Sequence, residues 1–175
     1  MKNIKYLVPF VAGLLLMGIS DCDRKEPQPK TELEKLPPPT QEGKYTFGCL
    51  VNGKAWVTEN SLDVSATYQF DFLNIGASVN NDFFIQTILF HIVSSNLTEG
   101  KYYLNNNTTS LVEVLDGRTN CEYITDGIEN IGELNVTKFD RNKLIISGTF
   151  KFMLEASGCT RLEVTEGRFD LKFTP

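Results

Sequence analysis

The sequence predicts an all-β domain: an antiparallel β-sandwich or a partly closed β-barrel of about nine or ten strands, built from sequential hairpins. First, residues 45–174 contain no proline, so every internal residue can donate its N–H to a ladder. Second, turn signals such as Asn52-Gly53 and Asp116-Gly117 interrupt the chain, and these pairs tolerate positive φ. Third, no long window has the period of an amphipathic helix, so any helix is expected to be a single short turn.

Three stretches show the strand pattern most clearly. Residues 83–93 are apolar at even and odd positions alike, which predicts a central strand. Residues 144–154 alternate between apolar and polar at their end, as a strand with one buried face does. In 161–175 the apolar positions change from even to odd on either side of Gly167, and we therefore predict a β-bulge or bend there.

The N-terminal residues resemble a bacterial lipoprotein signal peptide. Lys2 and Lys5 form a basic start, residues 6–19 form an apolar run, and Cys22 follows. In that class the cysteine is acylated and becomes the first residue of the mature protein, so the resemblance implies lipidation of Cys22. An ordinary secretory signal with a coincidental cysteine is the alternative. A membrane-spanning anchor is disfavoured because the apolar run is short and charged residues follow it.

The distribution of proline marks the boundary of the folded domain. Five of the seven prolines lie between positions 27 and 39, in a segment that is charged and poor in apolar residues. We predict a signal peptide at 1–21, a lipidated cysteine with its tether at 22–44, and a single β domain at 45–175. The tether is expected to remain extended and not to pack, because it has little apolar surface to bury.

The charge of the chain bears on its partners. The formal net charge is −5 at pH 7, and the charges are dispersed along the sequence. Nucleic-acid binding requires a basic patch that neutralises phosphates, and the sequence contains none. It also contains no basic amphipathic helix that would bind lipid headgroups. We therefore expect no nucleic-acid partner, and membrane contact through the lipid anchor alone.

The four cysteines indicate one disulfide at most. If Cys22 is acylated, only Cys49, Cys121 and Cys159 remain, and export from the cytoplasm permits them to pair. Three pairings are possible, and we favour Cys121 with Cys159 because both flank strand ends in the C-terminal half. Cys49 lies on the apolar face of a predicted strand and is expected to be buried. Three scattered cysteines without a nearby histidine do not make a zinc site, so we expect no metal and no other cofactor.

The sequence contains no recognisable catalytic motif. His91 is the only histidine and lies in an apolar strand, where one hydrogen bond is expected to satisfy it. A nucleophile elbow, a phosphate-binding loop and a dinucleotide-binding glycine motif are all absent from the sequence. We therefore predict that the protein is not an enzyme.

Paired carboxylates are the main catalytic alternative, because sequence spacing cannot show whether two of them share a cleft. Residues 125–130 are oxygen-rich but lack the full spacing of a calcium loop, so an acidic turn is expected there. The carboxylates considered are Asp63, Asp71, Asp82, Asp116, Glu122, Asp126, Glu129, Glu166 and Asp170.

Three aromatic residues bear on ligand binding. Trp56 follows a predicted hairpin turn and is expected to be buried in the core rather than to face a ligand. Tyr102 and Tyr103 are consecutive in a predicted strand, so one of them should be exposed. An exposed tyrosine could stack on a sugar ring.

The stretches that open and close the domain resemble those of a known family. The opening stretch is 46–56 (TFGCLVNGKAW), and the closing stretches are 145–152 (IISGTFKF) and 164–170 (VTEGRFD). They are similar to small lipoproteins of Bacteroidetes-type bacteria that are classed as a domain of unknown function. The resemblance covers about 45–175 and implies an exported, lipid-anchored β domain without established catalytic residues.

The glycines and charges of the closing motifs read as determinants of the fold. Gly148 and Gly167 are expected to permit close approach of strands or a bulge. Arg168 and Asp170 share a face of one strand and could form an ion pair across strands, with little effect on stability if exposed.

These observations lead to a functional expectation. The protein is expected to be an exported, lipid-anchored cell-envelope protein, at the outer membrane and facing the periplasm or the surface. Its activity is unknown, and a non-catalytic binding or accessory role is expected, with a glycan, an apolar ligand or an envelope protein as partner. The alternatives are a carboxylate-based glycan hydrolase and a purely structural envelope protein.

Overall fold

The protein folds into two antiparallel β-sheets that pack face to face as a β-sandwich. The structure is a computed structural model that describes residues 29–58, 60–79, 87–104, 109–125 and 131–175. The all-β prediction and its sandwich alternative are confirmed. Within the described residues the sheets do not close into the barrel that was the other alternative.

The described residues form eleven strands, one or two more than the sequence predicts, and two single 3-10 turns. The 3-10 turns are Leu33–Lys35 and Ser61–Asp63. The strands are β1 (Thr46–Val51), β2 (Lys54–Val57), β3 (Val64–Gln69), β4 (Phe72–Ser78), β5 (Thr87–Val93), β6 (Gly100–Leu104), β7 (Ser110–Asp116), β8 (Cys121–Ile124), β9 (Gly132–Asp140), β10 (Ile145–Leu154) and β11 (Leu162–Lys172).

The strand order shows how far sequential hairpins build the fold. The six-stranded sheet has the order β2-β1-β11-β10-β9-β6, and the five-stranded sheet has the order β3-β4-β5-β7-β8. Consecutive strands form six of the nine ladders found among the described residues. The other three ladders join β1 to β11, β6 to β9 and β5 to β7. Local hairpins are therefore assembled into sheets by contacts between distant parts of the chain.

A cluster of aromatic rings fills the centre of the sandwich. The ring of Phe150 lies 5.0 Å from those of Phe47 and Phe90, measured between centroids. Phe47 also meets the ring of Trp56 edge to face at 5.8 Å. Trp56 is buried in this core, as the sequence predicts. Aromatic pairs in such geometries add to the stabilisation from burial alone.

Glycines allow the central strands to approach closely and to bulge. A Cβ atom on Gly148 would lie 2.4 Å from the carbonyl oxygen of Asn135, and one on Gly167 would lie 2.3 Å from the ring of Phe150. The β10–β11 register shifts beside Gly167, and Glu166 has a positive φ of 54°. The inward-facing positions change parity across this point, from Val164 to Phe169, and the predicted bulge is confirmed.

Residues 29–44, which we call the N-terminal strap, pack on the six-stranded sheet. Their packing corrects the prediction that the whole tether stays unpacked, while residues 22–28 lie outside the described residues. Leu36 is buried, and Pro37 lies over Gly48 of β1, where a Cβ atom would come within 2.7 Å of the proline ring. Glu32 accepts a hydrogen bond of 2.8 Å from the N–H of Ala55 in the edge strand β2.

The C-terminal half of the strap is held by the carboxylate of Asp170, which is 1% exposed on β11. Backbone N–H groups of the strap bind both carboxylate oxygens, with distances of 3.0 Å from Glu42, 2.7 Å from Gly43 and 3.3 Å from Lys44. The hydroxyls of Thr40 and Ser147 donate to it at 2.6 Å and 2.7 Å. The strap packs without an apolar run because polar contacts to a distant strand replace one.

These contacts also determine the protonation of Asp170. Desolvation by burial would raise the pKa of this carboxyl group. The hydrogen bonds from Thr40, Ser147, Glu42 and Gly43 outweigh burial, so the pKa lies below its ordinary value of 3.8. Asp170 does not pair with Arg168, contrary to expectation. Instead, the guanidinium group of Arg168 lies 3.6 Å from a carboxylate oxygen of Glu166. It also donates a hydrogen bond to the carbonyl oxygen of Pro37.

We predict that Asp170→Asn lowers the free energy of unfolding by about 2–3 kcal/mol, because charge-assisted hydrogen bonds are lost at a buried site. It should also expose the strap to trypsin at Lys44. Urea unfolding and timed proteolysis would measure both effects. Asp140→Asn is the matched control, because Asp140 also accepts backbone hydrogen bonds, from Asn142 and Lys143, but at an exposed turn. Equal effects of the two substitutions would contradict the structural role of Asp170.

The same carboxylate predicts a pH dependence. Because its folded pKa is lowered, its stabilising contribution is present above the unfolded value and is lost as pH falls through the folded pKa. Unfolding midpoints measured from neutral pH to below 3.8 should fall more steeply in the wild type than in Asp170→Asn. Parallel curves would contradict this assignment.

Candidate functional site

A cavity of about 430 Å³ lies at one end of the sandwich. We call it the disulfide pocket. It is enclosed by the β1–β2 turn, the β7–β8 turn and the segment between β10 and β11. The residues that line it are Val51, Asn52, Lys54, Asp116, Thr119, Cys121, Tyr123, Gly158, Cys159, Thr160 and Leu162. The lining combines these polar and charged side chains with the apolar surface of Val51, Leu162 and the disulfide, and the size is that of small-molecule sites.

Two cross-links hold the walls of the pocket together. The disulfide between Cys121 and Cys159 joins β8 of one sheet to the segment between β10 and β11 of the other, with 6.1 Å between the Cα atoms. This is the pair that the sequence favours. The hydroxyl of Tyr123 donates a hydrogen bond of 2.7 Å to the carbonyl oxygen of Thr160. A covalent bond and a hydrogen bond therefore join the walls of the pocket. Binding of a ligand would require little ordering of the pocket's backbone.

The β1–β2 turn forms a third wall. Asn52 and Gly53 both have positive φ, 47° and 79°, as a tight hairpin turn requires. The backbone N–H of Asn52 donates to the carbonyl oxygen of Glu163, and the side-chain oxygen of Asn52 accepts from the N–H of Glu163, both at 2.8 Å. These two bonds fasten the turn to β11.

Asp116 is the buried carboxylate of the pocket, and its role is to organise the β7–β8 turn. One oxygen accepts from the backbone N–H groups of Arg118 at 3.0 Å and Thr119 at 3.4 Å. The other accepts from the Thr119 hydroxyl at 2.6 Å. Desolvation, and secondly the charge of Asp116, raise the pKa of Tyr123, so this hydroxyl stays protonated at neutral pH.

Lys54 supplies positive charge to the pocket. Its side chain is exposed, and no carboxylate of the described residues forms an ion pair with it. Its charge also reaches Glu32 of the strap, whose pKa is lowered chiefly by hydrogen bonds from Lys35 and Ala55 and further by Lys54. The pocket thus presents an exposed cation, together with the buried carboxylate of Asp116.

A more open depression of about 360 Å³ crosses the outer face of the six-stranded sheet, and we call it the outer groove. Tyr103 lines it and is 57% exposed, while the Tyr102 hydroxyl is bonded to the backbone of Thr98, so one tyrosine is exposed as predicted. Glu133 lies between Lys101 and Lys151, at 3.1 Å and 3.5 Å. The hydrogen bond from Lys101 is the main reason that the pKa of Glu133 is lowered.

The carboxylates considered from the sequence do not converge on one described site. Asp116 lies in the disulfide pocket and Asp170 beneath the strap. Glu166 pairs with Arg168 beside the outer groove, at 3.6 Å. Asp63 ends the 3-10 turn Ser61–Asp63, Asp71 lies in the β3–β4 turn, and Glu122 lies in β8. Asp82, Asp126 and Glu129 lie outside the described residues, as does most of the oxygen-rich segment 125–130.

Other candidate residues have structural roles. The Nδ1 atom of His91 is bonded to the side-chain oxygen of Asn74 at 2.7 Å, which agrees with the expected single hydrogen bond. Cys49 is a buried free thiol, and desolvation raises its pKa far above the ordinary value. Cys22, the predicted lipidation site, lies outside the described residues. Among the residues that the structure covers, no cluster of His, Cys, Asp or Glu could hold a metal ion.

Sequence reasoning identified the cysteines of the disulfide pocket but missed most of its other residues. Lys54, Thr119 and Thr160 were not candidates, and Leu162 was considered only as part of a strand. The Asn52-Gly53 turn and the Asp116-Gly117 turn were the available signals, because both end strands near a cysteine. Their convergence depends on strand order, which the sequence does not show.

These features define the class of protein: it is a β-sandwich, with eleven strands among the described residues and a ligand-sized pocket at one end. The family of a domain of unknown function, DUF6252, matches residues 40–170, and the chain belongs to this family. The predicted membership of a family of unknown function is thereby confirmed. No curated protein and no solved structure matches the chain. Among the described residues, no helix is long and apolar enough to cross a membrane.

We predict that replacing Cys121 and Cys159 together by alanine lowers the free energy of unfolding by about 3–4 kcal/mol. The disulfide closes a loop of 38 residues, and removing the disulfide increases the conformational entropy of the unfolded chain. Urea unfolding of the oxidised wild type and the double variant would measure the difference. Cys49→Ala is the control, since its midpoint should keep the wild type's sensitivity to dithiothreitol. A double variant as stable as the oxidised wild type would contradict the prediction.

Proposed function

We propose that the protein is a lipid-anchored, non-catalytic binding protein of the bacterial cell envelope. In this proposal Cys22 carries the lipid, the domain is exported at the outer membrane, and a small ligand occupies the disulfide pocket. The observation that carries the binding function is the pocket itself, of about 430 Å³, with walls held by a disulfide and by the Tyr123 hydrogen bond.

The N-terminal sequence supports export and anchoring. A basic start, a short apolar run and Cys22 follow one another as in lipoprotein signal peptides. The Cys121–Cys159 disulfide is compatible with an oxidising compartment outside the cytoplasm. Acylation with two or three chains would hold the domain stably at a membrane, whereas one chain would hold it only marginally.

The chemistry of the carboxylates favours binding over glycan hydrolysis. A glycosidase acid needs a raised pKa, whereas the pKa of Glu133 in the outer groove is lowered by Lys101. Asp116 is engaged by three donors of its own turn. The exposed ring of Tyr103 supports a second candidate, in which the outer groove binds a glycan by stacking.

We predict that Cys22→Ser moves the protein from the membrane fraction to the soluble fraction, because the acylated sulfur is removed. Detergent-phase partitioning of extracts from cells that express the wild type or the variant would measure this change. Cys49→Ser is the matched control, since Cys49 is a buried thiol within the domain. Unchanged partitioning of Cys22→Ser would overturn lipid anchoring.

We predict that a ligand of the disulfide pocket raises the thermal midpoint of the wild type but not that of Thr160→Trp, in which an indole fills the pocket. The chain from residue 22 with Cys22→Ser would be screened with glycan fragments, fatty acids, haem and calcium. Saturation at 100 times the dissociation constant corresponds to about 2.7 kcal/mol of stabilisation. A ligand that stabilises both forms equally binds elsewhere. If it is a glycan and Tyr103→Ala abolishes the shift, the outer groove is its site.

A further inference from the structure

The N-terminal strap begins beside the disulfide pocket. The carboxylate of Glu32 accepts a hydrogen bond from the N–H of Ala55, and the preceding residue, Lys54, lines the pocket. The 3-10 turn Leu33–Lys35 packs against β2 at the same place. The first described residues, which begin seven positions after Cys22, therefore lie against the strand that forms one wall of the pocket.

The packed strap shortens the connection between the anchor and the domain. From Cys22 to Pro29 there are seven residue steps, which span at most about 25 Å when fully extended. If the strap did not pack, the connection from Cys22 to Tyr45 would have 23 steps and could reach about 80 Å. The strap contacts with Asp170, Gly48 and Ala55 thus keep the pocket-forming end within a few tens of Å of the anchor.

The charges of the pocket indicate the kind of molecule that it would accept. The described lining of the pocket has one cation and one anion. Asp116 is buried and its oxygens accept three hydrogen bonds from their own turn, whereas Lys54 is exposed and has no ion-pair partner among the described residues, so its ammonium group is the charge that a ligand can reach. Val51, Leu162 and the disulfide supply the apolar part of the lining. An apolar body would enter the interior, and an anionic head would meet the Lys54 ammonium group.

We propose that the disulfide pocket binds a single-chain anionic amphiphile, with a carboxylate or phosphate head, taken from the membrane to which Cys22 is attached. This inference rests on the proposed function, and it names the ligand class and the source. The apolar walls hold the chain of the amphiphile, Lys54 holds its head, and the strap keeps the pocket close to the bilayer surface where such molecules are concentrated.

The first experiment measures the ligand class by calorimetry, with decanoate, decanol and decylammonium as probes below their micellar concentrations. The protein is the chain from residue 22 with Cys22→Ser, so that vesicles are not needed. Decanoate should bind most tightly, because only its head is attracted to Lys54. Lys54→Gln should weaken decanoate binding about five- to tenfold and leave decanol binding unchanged.

Two further variants assign the binding to the pocket. Thr160→Trp should abolish binding of decanoate and decanol while circular dichroism shows an intact fold. Lys143→Gln, on the β9–β10 turn away from the pocket, is the matched charge control and should bind decanoate like the wild type. Decanoate binding that survives Thr160→Trp, or that falls equally in the two lysine variants, would overturn the site. Equal or tighter binding of decylammonium would overturn the anionic class.

The second experiment measures the distance to the membrane. The acylated protein is bound to vesicles that contain a dansyl-labelled phospholipid, and energy transfer is measured from Trp56, the only tryptophan. The wild type should show strong transfer, and a long Gly-Ser insertion before Pro29 should reduce it severalfold. Transfer that is equally weak in both forms would overturn the membrane-proximal placement. Failure of the acylated wild type to bind vesicles would instead overturn the anchoring in the proposed function.

Discussion

The buried carboxylate of Asp170 is the interaction on which the arrangement of the N-terminal strap depends. The carboxylate lies on the outer face of β11, a strand with neighbours on both sides in the six-stranded sheet. The strap covers this face and excludes solvent from the carboxylate. A charge in that position is stable only if hydrogen-bond donors surround it, and the strap supplies four of the five. The same hydrogen bonds hold the C-terminal half of the strap on the sheet.

The disulfide pocket depends on a second set of long-range interactions. The hydrophobic core reaches this end of the sandwich and includes Cys121, Tyr123 and Leu162. The disulfide, the hydrogen bond from the Tyr123 hydroxyl and the hydrogen bonds between Asn52 and Glu163 join the turns there. Because they are bonds between strand ends and turns, they leave a cavity between them while fixing its shape. A preformed cavity of this kind binds with less loss of conformational entropy than a mobile one.

Strap and pocket meet at β2, the edge strand of the six-stranded sheet. Glu32 caps the free N–H of Ala55 on the outer edge, which otherwise would present an unpaired donor for another strand. The neighbouring Lys54 faces the pocket and has no carboxylate partner among the described residues. One short strand therefore has three roles: it forms the edge of the sheet, binds the strap and contributes Lys54 to the candidate site.

The sequence by itself determined the class of fold, the bulge at Gly167 and the burial of Trp56, because period-two alternation and glycine are local signals. Tertiary structure decided the strand order and the strap. Thr40 and Gly43 meet Asp170 across 130 and 127 residues, and no local pattern in a proline-rich segment reveals such a partner. Hydrogen bonds to a buried charge have no periodicity to detect. The same reason hid Lys54, which becomes a neighbour of the disulfide only when β1, β2 and β11 lie side by side.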